Sequence, residues 1–205
     1  MVKLHSPPNE LLFENGRSFS VLATISGILL LKGLRACDNM ILIYNPYTRV
    51  LKTVPDHYPA SSSIRSSVYD VYGFRYGTTL DDLEIVRLRV VDYNTRCCEV
   101  FSLKHGSWTT IIPSIRHHTF RFECNRGIFV KGFLYWIICD KNSSRLLLLA
   151  LDVKEMVFSK IRVPPNCILT ESIPLGTLNG RLCFVSYKRP DYELWVMKEI
   201  GGVKS

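Results

Sequence analysis

The residues that could perform catalysis are few and scattered in this 205-residue chain. Asp81 to Glu84 contains three carboxylates that could serve general acid–base chemistry, although such groups are commonly found on a solvated turn. His117 and His118 are adjacent, yet no Gly-x-Ser-x-Gly motif supplies a nucleophile and no glycine-rich phosphate loop is present. Nor do the carboxylates suggest the pair that a glycosidase needs. The sequence therefore predicts a protein without catalytic residues.

A metal site is not expected either. The seven cysteines are an odd number and include no Cys-x-x-Cys pair. Cys97 and Cys98 could form a zinc site with His117 and His118, but adjacent residues of a strand point to opposite faces and cannot converge on one ion. The N-terminus does not resemble a secretory signal, so we expect buried free thiols in a reducing compartment, the cytoplasm, the nucleus or both. The prediction is no metal and no cofactor.

Positive charge is concentrated in the second half of the chain. The net charge of +8 divides into +1 for residues 1–100 and +7 for residues 101–205. The densest basic stretch, Lys104 to Lys131, holds five basic residues and a single acid. Such a stretch could attract nucleic acid or an acidic protein surface. The alternative is that scattered Lys and Arg keep a β protein soluble and protect its edges.

The apolar residues come in short runs rather than at helical spacing. Runs such as Met40 to Tyr44, Gly132 to Ile138 and Glu193 to Met197 are rich in β-branched and aromatic residues and predict strands. The longest purely aliphatic run, Leu146 to Leu151, has six residues, far fewer than the roughly 20 that a membrane helix needs. We therefore expect an all-β chain with many short strands and no membrane contact.

A layout of two strands joined by a polar turn recurs along the chain. It occurs at residues 43–55, 100–113 and 149–164, each ending in an apolar residue and Pro, and a fourth copy begins at Leu194. A glycine before an apolar strand precedes the turn by 18 to 20 residues in three copies: Gly27, Gly132 and Gly180. Gly73 takes this place in the second copy, at a distance of 31 residues from the turn. An added hairpin at about Asp81 to Tyr93 is expected to account for the excess.

This period of about 50 residues predicts a β-propeller-like array of about four small antiparallel blades, partial or open. A glycine suits the crowded inner strand, and the closing Pro of each unit ends pairing at an exposed edge. Trp108, Trp136 and Trp195 lie at or near equivalent places, where we expect them to pack blades together. The alternative architecture is a two-sheet β-sandwich.

In these repeats the chain resembles the F-box-associated interaction domain of plant F-box proteins, including the F-box/kelch-repeat-like and S-locus F-box relatives. The most specific match is the turn Ile43 to Arg49, with Asn45, Pro46 and Arg49, which resembles the family's Trp-Asn-Pro-Ser/Thr-Thr-Arg segment. The other matching segments follow in the family's order: Ser26 to Leu30, Tyr72 to Phe74, Glu84 to Leu88, Glu99 to Leu103 with Trp108, Lys131 to Trp136, Leu178 to Leu182, and Leu194 to Lys198.

The resemblance implies a module that recruits a protein substrate to an SCF-type ubiquitin ligase, so that the substrate is ubiquitinated and degraded. In that family an N-terminal F-box binds the Skp1–cullin complex, and ubiquitin transfer is done by other subunits. Here residues 1–20 are expected to be a tail or linker, too short for an F-box, and residues 21–205 to be the domain, truncated at its C-terminus. Skp1 and cullin would therefore be reached only through an F-box that this chain lacks. A basic nucleic-acid-binding β domain is the alternative function, and nucleic acid is the less favoured partner.

Partner contacts are expected in the segments that do not repeat, because loops on a propeller carry binding specificity. These segments are His57 to Val68, Ser114 to Arg126, and Lys188 to Tyr192. Their mixture of cations and an aromatic residue is typical of interface hot spots. The predicted contact residues are Arg116, His117, His118, Phe120, Arg121, Lys188 and Arg189. The substrate itself has no readable signature.

Overall fold

A computed structural model describes residues 19–33, 40–56, 70–77, 79, 81–92, 95–116, 119–163, 175–188 and 191–198. Within them the secondary structure consists of strands joined by turns, and it contains no helix. The sixteen strands are β1 (Phe19–Ile25), β2 (Ile28–Gly33), β3 (Ile41–Asn45), β4 (Val50–Val54), β5 (Val71–Tyr76), β6 (Leu83–Asp92), β7 (Thr95–Ser102), β8 (Ser107–Arg116), β9 (Phe120–Phe122), β10 (Ile128–Val130), β11 (Phe133–Asp140), β12 (Leu146–Asp152), β13 (Val157–Arg162), β14 (Leu175–Leu178), β15 (Arg181–Lys188) and β16 (Asp191–Val196).

The strands form four antiparallel sheets, the blades of a four-bladed β-propeller. Blade 1 is β1-β2-β3-β4 and blade 2 is β5-β6-β7-β8. Blade 3 is β10-β11-β12-β13, with β9 also paired to β11, and blade 4 is β14-β15-β16 among the described residues. The predicted all-β propeller with about four blades is thus confirmed, and the β-sandwich alternative is wrong.

In three blades, the turn between the first two strands contains a glycine and, directly before it, another residue with positive φ. Gly27, Gly132 and Gly180 have φ values of +80°, +86° and +67°, and the residue before each also has positive φ. Two such residues between antiparallel strands make the type I′ geometry whose twist matches that of the strands. The regular spacing of these glycines in the sequence therefore reflects a backbone requirement of the turn.

The turn between the third and fourth strands is also built alike in three blades. A polar side chain at the end of the third strand accepts hydrogen bonds from the turn: Asn45 from the N–H of Tyr47 at 3.0 Å, and Asp152 from the N–H of Lys154 at 2.9 Å. In blade 2 the hydroxyl of Ser102 accepts from the N–H of His105 at 3.1 Å. The residue that ends each four-residue turn has positive φ; these residues are Arg49, Gly106 and Met156. The local side-chain bonds explain why the Asn-Pro-type turn recurs.

Blade 2 differs from the predicted layout. Asp81 to Tyr93 does not form an added hairpin: residues 83–92 are one ten-residue strand, β6, and β8 is equally long. Gly73 lies inside the first strand of the blade rather than in the turn before the second. A Cβ at Gly73 would stand 2.7 Å from Leu134 of blade 3, so this glycine serves close packing between blades. The apparent excess of length in this repeat arises because Gly73 is not the turn residue. Asp82, which directly precedes β6, lies 20 residues before Ser102 at the end of β7, the same spacing as from Gly132 to Asp152 in blade 3.

Each pair of consecutive blades encloses one hydrophobic cluster. The first cluster joins blades 1 and 2, the second joins blades 2 and 3, and the third joins blades 3 and 4. Blades 2 and 3 are apolar on both faces, as predicted for sheets that stack around an axis. Their largest fully buried side chains are Tyr72, Phe74, Phe101, Tyr135 and Trp136.

The three tryptophans are not equivalent, contrary to the prediction. Trp108 lies on the fourth strand of its blade, Trp136 on the second and Trp195 on the third. Trp136 is fully buried and donates its Nε1–H to the carbonyl of Tyr72 at 3.0 Å. Trp108 reaches across to blade 1, where its Nε1–H bonds the carbonyl of Pro55 at 2.7 Å. Both therefore pack neighbouring blades together, but from different strands.

The closing prolines also behave differently from one another. Pro55 directly follows β4, as predicted. Pro113 instead lies within β8, where the pairing register with β7 shifts between Ile112 and Ile115. A bulge tolerates a proline because no ladder hydrogen bond from its nitrogen is required there. Pro164 lies outside the described residues.

A short segment before blade 3 ties the inner strands of blades 2 and 3 together. Tyr72 of β5 donates its N–H to the carbonyl of Asn125 at 2.9 Å and accepts from the N–H of Gly127 at 2.6 Å. A Cβ at Gly127 would lie 2.5 Å from Trp136 Nε1 and 2.9 Å from the Tyr72 carbonyl oxygen. Only glycine fits this approach without moving its neighbours.

The described cysteines are free thiols: Cys97, Cys98, Cys124, Cys139 and Cys183. Within the described ranges, no group of three or more His, Cys, Asp or Glu residues is arranged to hold a metal ion. In the same part of the chain, no helix is long and apolar enough to cross a membrane.

Candidate interaction face

The propeller has two dissimilar ends. Antiparallel pairing brings the turn after the first strand and the turn after the third strand of each blade to the same end, here called the turn end. The opposite end, here called the loop end, is where strands two and three join within a blade and where one blade leads to the next. The turn end carries the short repeated turns, whereas longer and unlike connections leave from the loop end. The connections that differ most between blades therefore lie at the loop end.

All three segments predicted to bind a partner begin and end at the loop end. The predicted segment His57 to Val68 lies outside the described residues, and the residues that flank it, Asp56 after β4 and Asp70 before β5, are at the loop end. Residues 114–126 run from the end of β8 through β9 to the start of β10. Residues 188–192 join β15 to β16 at the same end. The sequence pattern gave no indication that these distant segments share one end of the molecule.

The individual predicted residues have different positions. Arg121 of β9 is exposed, with 63% of its side chain accessible, and its Nε–H donates to Glu123 Oε1 at 2.8 Å. Phe120, one residue earlier, points to the other face of the strand and is only 4% exposed, within the cluster between blades 2 and 3. Phe120 is therefore a core residue, and its prediction as a surface contact is wrong. An aromatic neighbour of cations looks the same in sequence whichever face it occupies.

Strand pairing gives the positions of two further residues that were predicted to contact a partner. Arg116 is the last residue of β8, opposite Thr95, and Lys188 is the last residue of β15, opposite Asp191. Both positions are at the loop end. His117, His118 and Arg189 lie outside the described residues.

A buried charged network lies beneath the loop end, between blades 1 and 2. Glu99, which is 0% exposed, accepts from Arg87 Nε at 2.8 Å and from Arg89 Nε at 3.1 Å. Arg87 also contacts Asp56 at 3.3 Å and stacks over the Trp108 ring, 4.1 Å from its centroid. Sequence alone did not reveal this network, although Arg87 and Glu99 occupy opposed positions of neighbouring strands.

The second half of the network surrounds Asp70, just before β5. Its Oδ1 accepts from the N–H of Val90 at 3.1 Å, and burial raises its pKa. Burial also lowers the pKa of Lys32, which lies 5.2 Å from the centroid of the Tyr72 ring, and lowers that of Arg96 to about 10. Arg96 donates to the carbonyl of Leu88 at 2.8 Å. These charged groups bond to one another and to the backbone, so their role is to hold the strand ends rather than to present reactive atoms.

The three carboxylates between Asp81 and Glu84 do not all lie on a solvated turn, contrary to the expectation from sequence. Asp82 is buried and accepts from the hydroxyl of Ser102 at 3.0 Å. Glu84 is paired with Arg75 at 2.5 Å, and Arg75 donates to the carbonyl of Val153 in blade 3 at 2.6 Å. Only Asp81 is exposed. These carboxylates therefore brace the turn end.

Sequence analysis missed a group of exposed cations at the loop end of blade 3. Lys141 and Arg145 flank the turn between β11 and β12, while Lys160 and Arg162 lie on the same face of β13. They belong to the repeated part of the chain, where the sequence pattern indicates turns and core positions rather than a binding surface. The alternation Lys160-Ile161-Arg162 was the one available signal, since two residues apart on a strand share a face.

The fold and its two ends define a class: a β-propeller with short matched turns at one end and unlike connections at the other. A family model described as the F-box associated beta propeller domain matches residues 5–203. The chain belongs to this family, as the resemblance in its repeats predicted.

The related proteins are F-box proteins of Arabidopsis thaliana. F-box protein At3g08750 is 25% identical over 180 residues, which cover 84% of this chain and 46% of the relative. Two further F-box proteins of the same plant, At1g46840 and At3g22650, are 29% and 23% identical, covering 79% and 92% of this chain. The matches cover 33% and 52% of those two relatives. The chain thus spans about half or less of the length of these relatives.

Among solved structures, an oligogalacturonate lyase in complex with manganese superposes with a TM-score of 0.47 at 8% sequence identity. The superposition covers 87% of this chain and 47% of the lyase chain. This similarity is too distant to carry an argument about function.

Proposed function

We propose that this domain is a non-catalytic recognition module that holds a target protein for an SCF-type ubiquitin ligase, leading to ubiquitination and degradation of the target. The observation that carries the proposal is membership of the F-box associated propeller family, together with relatives that are F-box proteins. The loop end is the recognition face, because the unlike connections are found there. Skp1 and cullin are contacted through an F-box, so they belong to the larger assembly rather than to the propeller. The site of action is the cytoplasm, the nucleus or both, which a fluorescent fusion would test.

Two surface arginines offer a matched test of this face. Arg121 is exposed at the loop end, and Arg181 is exposed at the turn end, just after Gly180. The domain would be fused behind a family F-box segment, expressed in plant cells with the proteasome inhibited, and purified with its associated proteins. The parent fusion should bring down Skp1 and cullin together with ubiquitinated proteins.

Arg121→Glu should reduce the recovery of at least one ubiquitinated protein while retaining Skp1 and cullin, because only the recognition face is altered. Arg181→Glu should retain all of them. The proposal fails if the fusion never brings down Skp1 and cullin. It also fails if the ubiquitinated proteins are the same with the propeller deleted, since the propeller would then select nothing.

A further inference from the structure

The exposed cations of blade 3 form a compact surface at the loop end. We define the cation row as Lys141, Arg145, Lys160 and Arg162, all of which are exposed. Lys141, Arg145 and Arg162 lie at three adjacent strand ends, those of β11, β12 and β13, and Lys160 precedes Arg162 by two residues in β13. With strands spaced by about 4.8 Å, the three strand ends span roughly 10 Å, the length of about three residues of an extended peptide.

Register fixes the positions of these residues relative to one another. Arg162 is opposite Leu147 and Lys160 is opposite Leu149, so both cations lie on the face of blade 3 that looks toward blade 2. Lys141 donates its N–H to the carbonyl of Thr119 at 2.8 Å. Lys160 Nζ reaches the hydroxyl of the same Thr119 at 3.3 Å. The two lysines are thus held beside one backbone segment.

The floor beside the row is apolar. Lys160 Nζ lies 4.8 Å from the centroid of the Phe120 ring, and Phe120 packs edge-on against Phe122 at 5.6 Å. Ile115 of blade 2 packs against the same cluster. The row therefore borders a seam between two blades, with cations at the rim and apolar side chains beneath them.

Asp140, the described carboxylate next to Lys141, already accepts hydrogen bonds from its own turn. Asp140 Oδ2 accepts from the N–H of Ser143 at 2.9 Å and from its hydroxyl at 2.5 Å, and these bonds lower the pKa of Asp140. Lys160 is near enough to stabilise that charge. Among the described residues of this surface, the four cations of the row exceed the charge of Asp140.

We propose that the cation row is the docking site for an acidic, extended peptide segment of the target protein. This proposal rests on the proposed function, because it names the chemistry of the target that the loop end holds. Carboxylates of such a segment would pair with the four cations along the rim of the seam between blades 2 and 3. Arg145 and Arg162 suit this role, since a guanidinium binds a carboxylate through two parallel hydrogen bonds.

A protein partner is favoured over nucleic acid by the state of the aromatic rings. Single-stranded nucleic acid is bound by exposed rings on which bases stack. Here the Phe120 ring is buried beneath Lys160, and Arg96 lies over the Phe122 ring at 4.8 Å from its centroid. The described rings beside the row are thus covered rather than presented.

The test uses a fluorescent peptide of alternating Glu and Leu, a matched peptide with Gln for Glu, and a single-stranded DNA oligonucleotide. Fluorescence anisotropy at low and high salt would report their binding to the whole chain. The loop-end variant combines Lys141→Glu, Arg145→Glu and Arg162→Glu, and leaves Lys160 and its contacts intact. The control variant makes the same change of charge at exposed positions of the turn end: Lys131→Glu, Lys154→Glu and Arg181→Glu.

We expect the Glu peptide to bind at least tenfold more tightly than the Gln peptide. The loop-end variant should weaken that binding about tenfold or more, and the control variant less than threefold, since exposed ion pairs each contribute modestly but act together here. Equal losses in the two variants would show a response to net charge alone and would overturn the proposal. So would an absence of binding to the Glu peptide, or tighter binding of DNA that is lost in the loop-end variant.

The peptide-binding and F-box fusion experiments together distinguish failure of the docking site from failure of the ligase role. If the F-box fusion fails to capture Skp1 and cullin while the Glu peptide still binds through the row, the ligase role falls and the docking site stands. If the fusion captures them and selects targets, but the loop-end variant selects the same targets and binds the peptide normally, the docking site alone is refuted.

Discussion

Replacing Gly127 with alanine tests the contact that joins blades 2 and 3 at their inner strands. The new Cβ would stand 2.5 Å from Trp136 Nε1 and 2.9 Å from the carbonyl oxygen of Tyr72, both closer than real Cβ atoms approach. Trp136 is fully buried and cannot swing into solvent. The segment at Gly127 must therefore move away from β5.

The magnitude follows from what that movement disrupts. Overpacking a core by one methyl group costs about 1–3 kcal/mol. Two hydrogen bonds to the Tyr72 carbonyl, from Gly127 N–H at 2.6 Å and from Trp136 Nε1 at 3.0 Å, would weaken, at about 1 kcal/mol each. Alanine also restricts the unfolded chain more than glycine does, which offsets about 0.4–1 kcal/mol of the loss in stability. We expect a net loss of roughly 3 kcal/mol in the free energy of unfolding.

Gly176 provides the matched control, because it is also a glycine without positive φ and a Cβ there would meet Cys183 Sγ at an ordinary 3.6 Å. Gly176→Ala should leave stability unchanged or raise it by up to about 1 kcal/mol. Urea unfolding followed by tryptophan fluorescence would measure both variants against the parent. If Gly127→Ala unfolds within about 0.5 kcal/mol of Gly176→Ala, the tight approach is not a feature of the folded protein.

Four further changes have outcomes that follow from the structure. Glu99→Gln leaves Arg87 and Arg89 without their buried counter-charge and should lower the free energy of unfolding, measured in urea, by about 3 kcal/mol. Glu155→Gln removes an exposed pair and should lower it by less than about 0.5 kcal/mol, and equal effects would contradict the network. Burial raises the pKa of Asp70 above 3.8, so the folded protein holds the proton on Asp70 more tightly than the unfolded chain does. The stability that this proton contributes is fully present below pH 3.8 and is lost as the pH rises through the raised pKa. Asp70→Asn should therefore match the parent's stability at about pH 3 and exceed it increasingly toward neutrality, and a constant difference across pH would refute this. Burial raises the pKa of Cys98 to about 12, so peptide mass spectrometry should find it unmodified by iodoacetamide at about pH 8 in the native protein and modified in denaturant. Lys131 has a φ of +46° in a type I′ turn, so Lys131→Asn should raise stability by roughly 0.5 kcal/mol, and a loss would argue against that turn geometry.

The parts of the fold that sequence predicted are those set by local backbone chemistry. Gly27, Gly132 and Gly180 marked the hairpin turns because positive φ is costly for other residues. Asn45 and Asp152 marked the other turns because their side chains accept hydrogen bonds from the turn backbone. Both signals act over a few residues, so they survive in a single sequence.

What sequence did not predict depends on neighbours far along the chain. Gly73 looked like another turn glycine, but its place is set by Leu134 and Trp136 of the next blade. Phe120 looked like part of a binding loop, yet pairing with β11 turns its ring into the core. The burial of Glu99 likewise depends on Arg87 and Arg89 of the neighbouring strand, 12 and 10 residues away. None of these contacts leaves a local pattern.

The difference between the two ends of the propeller has a consequence for how such a protein can diversify. The turn end is determined by backbone geometry, so substitutions of its positive-φ glycines are penalised through folding. At the loop end, strand pairing and the buried network of Arg87 and Glu99 hold the strand ends in place beneath the connecting segments. Those segments can change in length and chemistry without altering the frame that supports them. One stable scaffold can thus carry different connections at a single end.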